Sequence, residues 1–285
     1  MTLYEEVRAA FTKAEFWAKK SRGQNFLIHE HVIDAILRLL QLTPQDEVLE
    51  IGPGLGFLTR RIAPAAKQVW AVEVDAKLVT YLQQSALGSQ SNLQLIHGDI
   101  LAAPLDRLLP NGKVKVVGNL PYSISTPVLF RLLELREHFS SLVLMLQKEV
   151  ADRIASGPGT KDYGTLSVWC HLHGTIAEKV SVSPEAFFPK PKVRSTILKI
   201  ELFPQLPVAK GELPALRGLV RAAFGQRRKT LSHVLTAWLT GARSEIEDIL
   251  RAQDIDPKRR GETLSVAEFI GLARSLRERG LPAPC

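Results

Sequence analysis

The sequence is poor in cysteine and has no long hydrophobic run, and each absence excludes a class of protein. The two cysteines, Cys170 and Cys285, are too few for a disulfide framework or a four-ligand zinc site. The longest apolar run, residues 142–146, is far short of the roughly 20 residues that cross a bilayer. The first six residues carry two glutamates where a signal peptide has positive charge, and no apolar segment follows them. We therefore expect a cytoplasmic protein without a membrane segment, and no metal site because His171 and His173 lack partners at ligand spacing.

The chain of 285 residues is long enough for one large domain or two unequal ones. Its balance of 45% hydrophobic and 23% charged residues excludes disorder, collagen and coiled coil. The net charge is +8 and unevenly spread: residues 31–204 hold 18 basic and 16 acidic side chains, whereas residues 205–285 hold 14 and 9. A basic end on a nearly neutral body favours a polyanionic partner such as nucleic acid. Charge alone fits a merely soluble basic protein equally well.

Short apolar runs alternate with amphipathic helical stretches through residue 150, which predicts βαβ units and a doubly wound α/β sheet. The predicted strands are residues 48–51, 69–74, 93–96, 114–117 and 142–146. Residues 164–173 fit a helix better than a strand, and 176–182 and 196–202 read as strands of an antiparallel edge. Prolines and a glycine between 204 and 214 indicate a linker, followed by helical periods over 214–225, 229–240, 244–252 and 265–278. We therefore predict one domain over residues 1–204 and a small all-helical domain over 205–285.

A glycine-rich turn follows the first strand of this predicted sheet. Gly52, Gly54 and Gly56 allow a tight turn and a close approach of a ligand to the backbone. The second strand ends in Glu73, which is placed to accept the hydroxyls of a ribose, and the third strand is followed by Asp99, which suits an adenine amino group or an N-cap. Two cofactor classes fit this pattern, NAD(P) and S-adenosylmethionine. The Gly-x-Gly-x-Gly spacing departs from the Gly-x-Gly-x-x-Gly of pyrophosphate binding, which favours the second class.

The tetrad Asn119-Leu120-Pro121-Tyr122 follows the fourth strand, beside the predicted cofactor crevice. An amine conjugated to an aromatic ring is a poor nucleophile, so a methyl-transferring site must orient its lone pair. The Asn119 oxygen and a backbone carbonyl next to Pro121 can each accept one N–H, and Tyr122 can stack on the base and favour developing positive charge. No strong general base is needed, because the proton can leave after the methyl group arrives.

Five ordered motifs resemble the KsgA-type ribosomal RNA adenine N6,N6-dimethyltransferases, and the resemblance extends from about residue 19 to 275. The motifs are residues 24–27, 50–56, 118–122, 187–195 and 224–231. The resemblance implies a Rossmann-like class I methyltransferase fold and S-adenosylmethionine as cofactor. It implies donor contacts from Asn25, Leu27, Gly52, Gly54, Glu73, Asp99 and Asn119. It further implies a monomer that dimethylates two adjacent adenosines in a 3′-terminal hairpin of 16S rRNA, linked to small-subunit biogenesis, with the target amine held by residues 119–122.

The resemblance also implies that Phe187 packs on the flipped base. Phe187 lies in a proline-rich loop that is rigid enough to hold an aromatic platform, and stacking on an unpaired base is worth about 1–3 kcal/mol. The alternative for Phe187 is a buried loop anchor, although the neighbouring Phe188 suits that duty better.

Clusters of basic residues predict a surface that follows RNA phosphates. The predicted RNA-binding residues are Lys20, Arg22, Lys190, Lys192, Arg194, Arg227, Arg228 and Lys229. Family members usually continue the last cluster with Arg-Asn after Arg-Lys-Thr-Leu, whereas this chain has Ser232-His233. Three rival functions stay open at this point: a large-subunit rRNA adenine methyltransferase that confers antibiotic resistance, an NAD(P)-dependent oxidoreductase, and a non-catalytic ribosome-assembly factor.

Overall fold

The computed structural model describes residues 1–13, 23–109 and 113–281, and it divides the chain into two compact units. The first unit comprises Met1–Ala151 and Thr175–Phe203, and the second comprises Asp152–Gly174 and Pro204–Cys285, of which 282–285 lie outside the described residues. Among the described residues, no helix combines the length and apolar character that crossing a membrane requires.

The first unit follows the alternation of strand and helix that the sequence predicts. Its helices are α1 (Leu3–Lys13), α2 (Glu30–Leu40), α3 (Thr59–Ile62), α4 (Ala76–Gln83), α5 (Leu105–Leu108), α6 (Ser125–Glu134) and the start of α7 (Lys148–Ala155). Its strands are β1 (Phe26–Leu27), β2 (Glu47–Ile51), β3 (Gln68–Glu73), β4 (Leu93–His97), β5 (Val114–Asn119), β6 (Phe139–Gln147), β7 (Gly174–Val182), β8 (Phe187–Phe188) and β9 (Ser195–Leu202).

Seven strands form the main sheet in the order β4-β3-β2-β5-β6-β9-β7. Neighbouring strands from β4 to β6 are parallel, and β9 pairs with β6 in the antiparallel direction. Chain order reverses between β2 and β5, and such a switch point opens a crevice at the carboxyl ends of the strands. The apolar side chains of the central strands β2 and β5, such as Leu49 and Val116, are buried, as expected for strands covered on both faces. The predicted doubly wound α/β fold is confirmed.

The second unit is helical among its described residues. Its helices are the end of α7, α8 (Thr165–His173), α9 (Leu213–Gly225), α10 (Leu231–Leu239), α11 (Arg243–Ala252) and α12 (Val266–Glu278). Their apolar faces enclose a core that includes Leu219, Leu235, Ile249 and Phe269, each no more than 1% exposed.

The unit boundary differs from the predicted domains in one segment, because residues 152–174 belong with the helices that follow residue 204. Tyr163 is fully buried, its hydroxyl donates to the Leu264 carbonyl oxygen over 2.9 Å, and its ring packs edge-on against Phe224 at 5.7 Å. The Arg217 guanidinium lies over the Trp169 ring. These contacts join residues far apart in sequence, so local periodicity gives no signal for them.

Candidate active site

A cleft lies in the first unit at the carboxyl ends of the neighbouring strands β2 and β5. Its lining comes from five separate segments and one helical residue: 23–27, 50–55 with 57–58, 72–74, Leu78, 98–100, and 119–122 with Ile124. Every residue from which we predicted donor contacts lines this cleft, as do all four residues of the tetrad.

The three glycines of the turn share a backbone conformation but differ in what surrounds them. Gly52, Gly54 and Gly56 all have positive φ, at 68°, 60° and 79°, a region that other residues rarely adopt. A Cβ on Gly52 would meet no atom within 4 Å, so its backbone faces open space in the cleft, whereas a Cβ on Gly56 would lie 2.5 Å from Leu87 Cδ1. Gly52 therefore leaves room for a ligand, and Gly56 leaves room for the protein core.

Glu73, at the end of β3, is a buried and oriented carboxyl group. Its Oε2 accepts a hydrogen bond from the Gly54 N–H over 3.2 Å, and its Oε1 accepts one from the Asp75 N–H over 2.9 Å. Burial raises the pKa of Glu73, and these backbone hydrogen bonds oppose that change. The glycine turn and the carboxylate therefore fix each other's position.

Asp99 is exposed at the tip of β4, and its Oδ1 accepts a hydrogen bond from the Leu101 N–H over 2.9 Å. The capping role that we considered for this residue is thus present in the structure. Asp99 lines the cleft at the same time, so the two roles are compatible.

Two further residues line the cleft that our sequence reasoning did not select. Glu50 is only 2% exposed, and its Oε2 has no hydrogen-bond partner among the described residues. Burial and the nearby negative charge of Glu73 raise its pKa to about 7. Val74 is 46% exposed, an unusual apolar surface directly after Glu73. A charged residue within an otherwise apolar strand could have indicated that Glu50 belongs to the site, whereas nothing in the sequence distinguishes Val74 from a core residue.

The charges of the cleft are all of one sign. Among the described residues that line it, Glu50, Glu73 and Asp99 are acidic and none is basic. Such a lining attracts a cationic ligand and repels a pyrophosphate. The buried, unpartnered Glu50 oxygen and the open space beside Gly52 therefore fit a sulfonium donor with an ammonium group better than a dinucleotide.

Asn119 is the last residue of β5, and its amide is oriented by a neighbouring backbone. Its Nδ2 donates a hydrogen bond to the Asn25 carbonyl oxygen over 2.9 Å, while Asn25 Nδ2 donates to the Gly23 carbonyl over 3.1 Å. Neither Asn119 Oδ1 nor the Leu120 carbonyl oxygen accepts a hydrogen bond from any described residue. Two acceptors are therefore available at the edge of the cleft for the two N–H bonds of one amine.

The rest of the tetrad supports these two acceptors. The Leu120 side chain is buried, and its backbone N–H donates to the Met145 carbonyl oxygen of β6 over 3.2 Å. Pro121 begins a turn closed by the Ile124 N–H, and Tyr122 is half-buried with its hydroxyl 2.7 Å from Ser195 Oγ. Burial raises the pKa of Tyr122, so its hydroxyl stays protonated at neutral pH.

The structure does not bring Phe187 to the cleft. Phe187 is 2% exposed and belongs to the hydrophobic core, where β8 pairs with β1 so that Leu27 is opposite Phe187 and Phe26 opposite Phe188. Phe188 is partly exposed and packs against Phe11 of α1. The buried-anchor alternative thus describes Phe187 here, because strand pairing turns its ring into the core.

Comparison with known proteins identifies the family. The sequence profile of the ribosomal RNA adenine dimethylase family matches residues 15–272. The chain belongs to this family. The predicted resemblance and the predicted enzyme class, an rRNA adenine dimethyltransferase, are confirmed, and the oxidoreductase alternative is wrong.

Named relatives of this dimethylase cover nearly its whole length. It is 45% identical to the ribosomal RNA small subunit methyltransferase A of Geobacter metallireducens, over 92% of this chain and 97% of the relative. It is 40% identical to the protein of the same name from Alkaliphilus oremlandii, over 94% of both. Its structure matches a dimethyladenosine transferase from Plasmodium falciparum with a TM-score of 0.80 and 26% identity, over 91% of this chain and all of the other. The 23S rRNA methyltransferase ErmE shares the fold, with a TM-score of 0.69 and 24% identity.

The predicted RNA-binding residues of the first unit fall into two groups in this dimethylase. Lys190, Lys192 and Arg194 are exposed on the loop between β8 and β9, and Lys190 forms an ion pair with Glu185. Lys20 and Arg22 lie outside the described residues.

In the second unit, Arg228 and Lys229 are exposed, but Arg227 is engaged within the dimethylase itself. The Arg227 side chain pairs with Glu262 over 2.9 Å and donates to the carbonyl oxygens of Lys161 and Tyr163. Arg227 thus ties three segments of the second unit together. Ser232 and His233, which stand where family members usually have Arg-Asn, differ in exposure: Ser232 is buried and His233 is exposed.

Proposed function

We propose that this dimethylase transfers methyl groups from S-adenosylmethionine to N6 of two adjacent adenosines in a 3′-terminal hairpin of 16S rRNA, as a step in small-subunit biogenesis. The observation that carries the proposal is the position of two available acceptors, Asn119 Oδ1 and the Leu120 carbonyl, at the edge of a cleft in which the charged residues that the structure describes are all acidic. The names of the relatives, ribosomal RNA small subunit methyltransferase A, favour the small subunit.

Different residues of the cleft bind different parts of the donor. Glu73, fixed by two backbone N–H groups, accepts the ribose hydroxyls, and Asp99 accepts the adenine amino group. Val74 offers an exposed apolar surface to the adenine ring, and the backbone of Gly52 lies open to the methionine part. Asn25 and Leu27 also line the cleft and complete the set of donor contacts. When bound, the donor supplies an electrophilic methyl group on a positively charged sulfur.

The tetrad orients the amine. The lone pair of an adenine amine is delocalised into the ring, so the amine attacks only when that pair is directed at the methyl carbon. Asn119 Oδ1 and the Leu120 carbonyl each accept one N–H, which fixes the amine and stabilises the positive charge that develops on nitrogen. Tyr122 presents its ring to the base, whose stacking is worth about 1–3 kcal/mol. The nitrogen then loses its proton without a strong general base.

The exposed basic residues hold the RNA backbone. Lys192 and Arg194 lie on the loop that leads into β9, and Arg228 and Lys229 lie on the second unit. Each phosphate contact contributes affinity that falls with salt and is independent of sequence. The base is selected in the cleft, and it must leave its stack to enter.

The decisive experiment is mass spectrometry of 16S and 23S rRNA from cells with and without this protein. We expect dimethyladenosine at two neighbouring 16S positions to disappear in its absence and to return with the wild-type gene but not with Asn119→Ala. The purified Asn119→Ala variant should keep most of its RNA affinity, because Asn119 orients the amine rather than contacting phosphate. Loss of the modification from 23S rRNA instead would refute the choice of substrate.

A second measurement tests the donor site. Glu73→Ala should weaken S-adenosylmethionine binding by about 1.5–3 kcal/mol, the range for hydrogen bonds to a charged group. Calorimetry measures this directly, and an unchanged affinity would remove Glu73 from the site.

A further inference from the structure

Ser195 lies directly behind the cleft and contacts one of its walls. It is the first residue of β9 and is completely buried. Its hydroxyl lies 2.7 Å from the hydroxyl of Tyr122, which lines the cleft. A buried side chain outside the cleft lining is thus hydrogen-bonded to one that lines the cleft.

The backbone around Ser195 is fixed by the sheet. Ser195 is opposite Gln147 in the antiparallel pairing of β9 with β6. The Lys148 N–H donates to the Arg194 carbonyl oxygen over 3.0 Å, which extends the pairing by one step. The Ser195 hydroxyl is therefore a rigid anchor rather than a mobile surface group.

Tyr122 has separate restraints on its backbone and on its ring. Ser125 Oγ donates to the Tyr122 carbonyl oxygen over 3.1 Å, and the Ile124 N–H closes the turn at Pro121. These bonds hold the main chain. The hydrogen bond to Ser195 holds the hydroxyl end of the side chain.

We propose that Ser195 is a positioning residue for methyl transfer, which holds the Tyr122 ring in the orientation that receives the target base. The inference rests on the proposed function, in which the base stacks on Tyr122. Without the bond, the side chain can swing about its Cα–Cβ bond and carry the ring away from the base, so the amine meets the two acceptors less often. Since β9 begins where the basic loop of Lys192 and Arg194 ends, the same bond links the loop to the tetrad.

The test compares variants that remove the bond from either side. Ser195→Ala and Tyr122→Phe should each lower kcat on a 16S hairpin RNA by about two- to tenfold, the effect of losing one hydrogen bond. The double variant should be no slower than either single variant, because both remove the same interaction. Ser141→Ala is the matched control, since Ser141 is a buried serine at the other end of the same ladder, opposite Glu201.

A stacking readout separates positioning from a merely structural role. A hairpin with 2-aminopurine at the target adenosine is expected to be quenched when its base stacks on Tyr122, and Ser195→Ala should weaken this quenching. Donor affinity by calorimetry should stay within twofold of the wild type. Ser141→Ala should leave quenching, kcat and donor affinity at wild-type values.

Each outcome decides the inference. Wild-type kcat and quenching in Ser195→Ala would overturn it, and if that variant fails to fold, the same result in Tyr122→Phe would do so. Additive losses in the double variant would also overturn it, because the two side chains would then act separately. If Tyr122→Ala leaves quenching intact as well, the base does not meet Tyr122 and the proposed function itself is at fault.

Discussion

The buried Glu50 carboxyl makes a quantitative prediction about stability. Its pKa is raised from 4.5 to about 7 because burial and the Glu73 charge disfavour ionisation. Below pH 4.5 the carboxyl is protonated in both the folded and the unfolded chain, so the charged form does not destabilise the folded chain and the free energy of unfolding is at its highest with respect to this group. As the pH rises to 7 the unfolded chain releases the proton while the folded chain retains it, so the free energy of unfolding falls. One pKa unit corresponds to 1.36 kcal/mol, so the rise from 4.5 to about 7 lowers the free energy of unfolding by about 3 kcal/mol in total.

Glu50→Gln removes this dependence, because the amide has a similar shape and does not ionise. We expect the variant to exceed the wild type in free energy of unfolding by about 3 kcal/mol more at pH 8 than at pH 4.5. Urea unfolding at the two pH values, followed by fluorescence and by circular dichroism, measures the difference, and coincident transitions check that one step is observed. Glu47→Gln is the matched control, at the other end of β2 in a surface pair with Lys67, and should shift stability by less than about 1 kcal/mol.

An equal gain from Glu50→Gln at both pH values would refute the reasoning, since the gain would then come from packing rather than from ionisation. A loss at pH 8 would show that the ionised carboxylate has a stabilising partner.

Three more tests, two of them with a matched second variant, address the site and the second unit. Gly56→Ala should lower the free energy of unfolding by at least about 2 kcal/mol, through positive φ and a methyl group forced against a leucine, whereas Gly52→Ala should mainly weaken donor binding by calorimetry. Asn119→Asp should abolish methyl transfer in a tritium-transfer assay, because a carboxylate oxygen would face the carbonyl to which the amide now donates. Arg227→Ala should lower the melting temperature by several degrees while Lys229→Ala leaves it unchanged, and equal effects would contradict the tie that we describe.

Local signals in the sequence were sufficient for the parallel strands of the first unit. Central strands of a parallel sheet are buried on both faces, so they appear as short apolar runs, and the turns between them carry glycines. The carboxyl ends of such strands meet at one edge, which is why residues as distant in sequence as Glu73 and Asn119 were expected together and line one cleft. Family resemblance then supplied Asn25 and Leu27, which no periodicity indicates.

Features that depend on tertiary packing were not predictable. Strand pairing buries Phe187, and a two-residue strand gives too weak an alternation to show which ring faces the core. Arg227 has the same sequence signature as Arg228, yet only Arg227 reaches Glu262. The segment 152–174 joins the second unit through Tyr163, whose partner lies 101 residues away in sequence.

The surface and the cleft of the molecule carry opposite charge, which suits an anionic RNA outside and a cationic donor inside. The chain carries a net charge of +8, which attracts a polyanion at distances up to roughly the 8–10 Å screening length. The carboxylates of Glu73 and Asp99 line the cleft with the opposite sign, and Glu73 is buried, where water screens its charge least. Under the proposed function, the surface attracts the phosphates of the RNA and the cleft repels them, which favours entry of the base with the backbone left outside. High salt should accordingly weaken RNA binding far more than donor binding, and a parallel loss of both would show that the cleft has no electrostatic preference of its own.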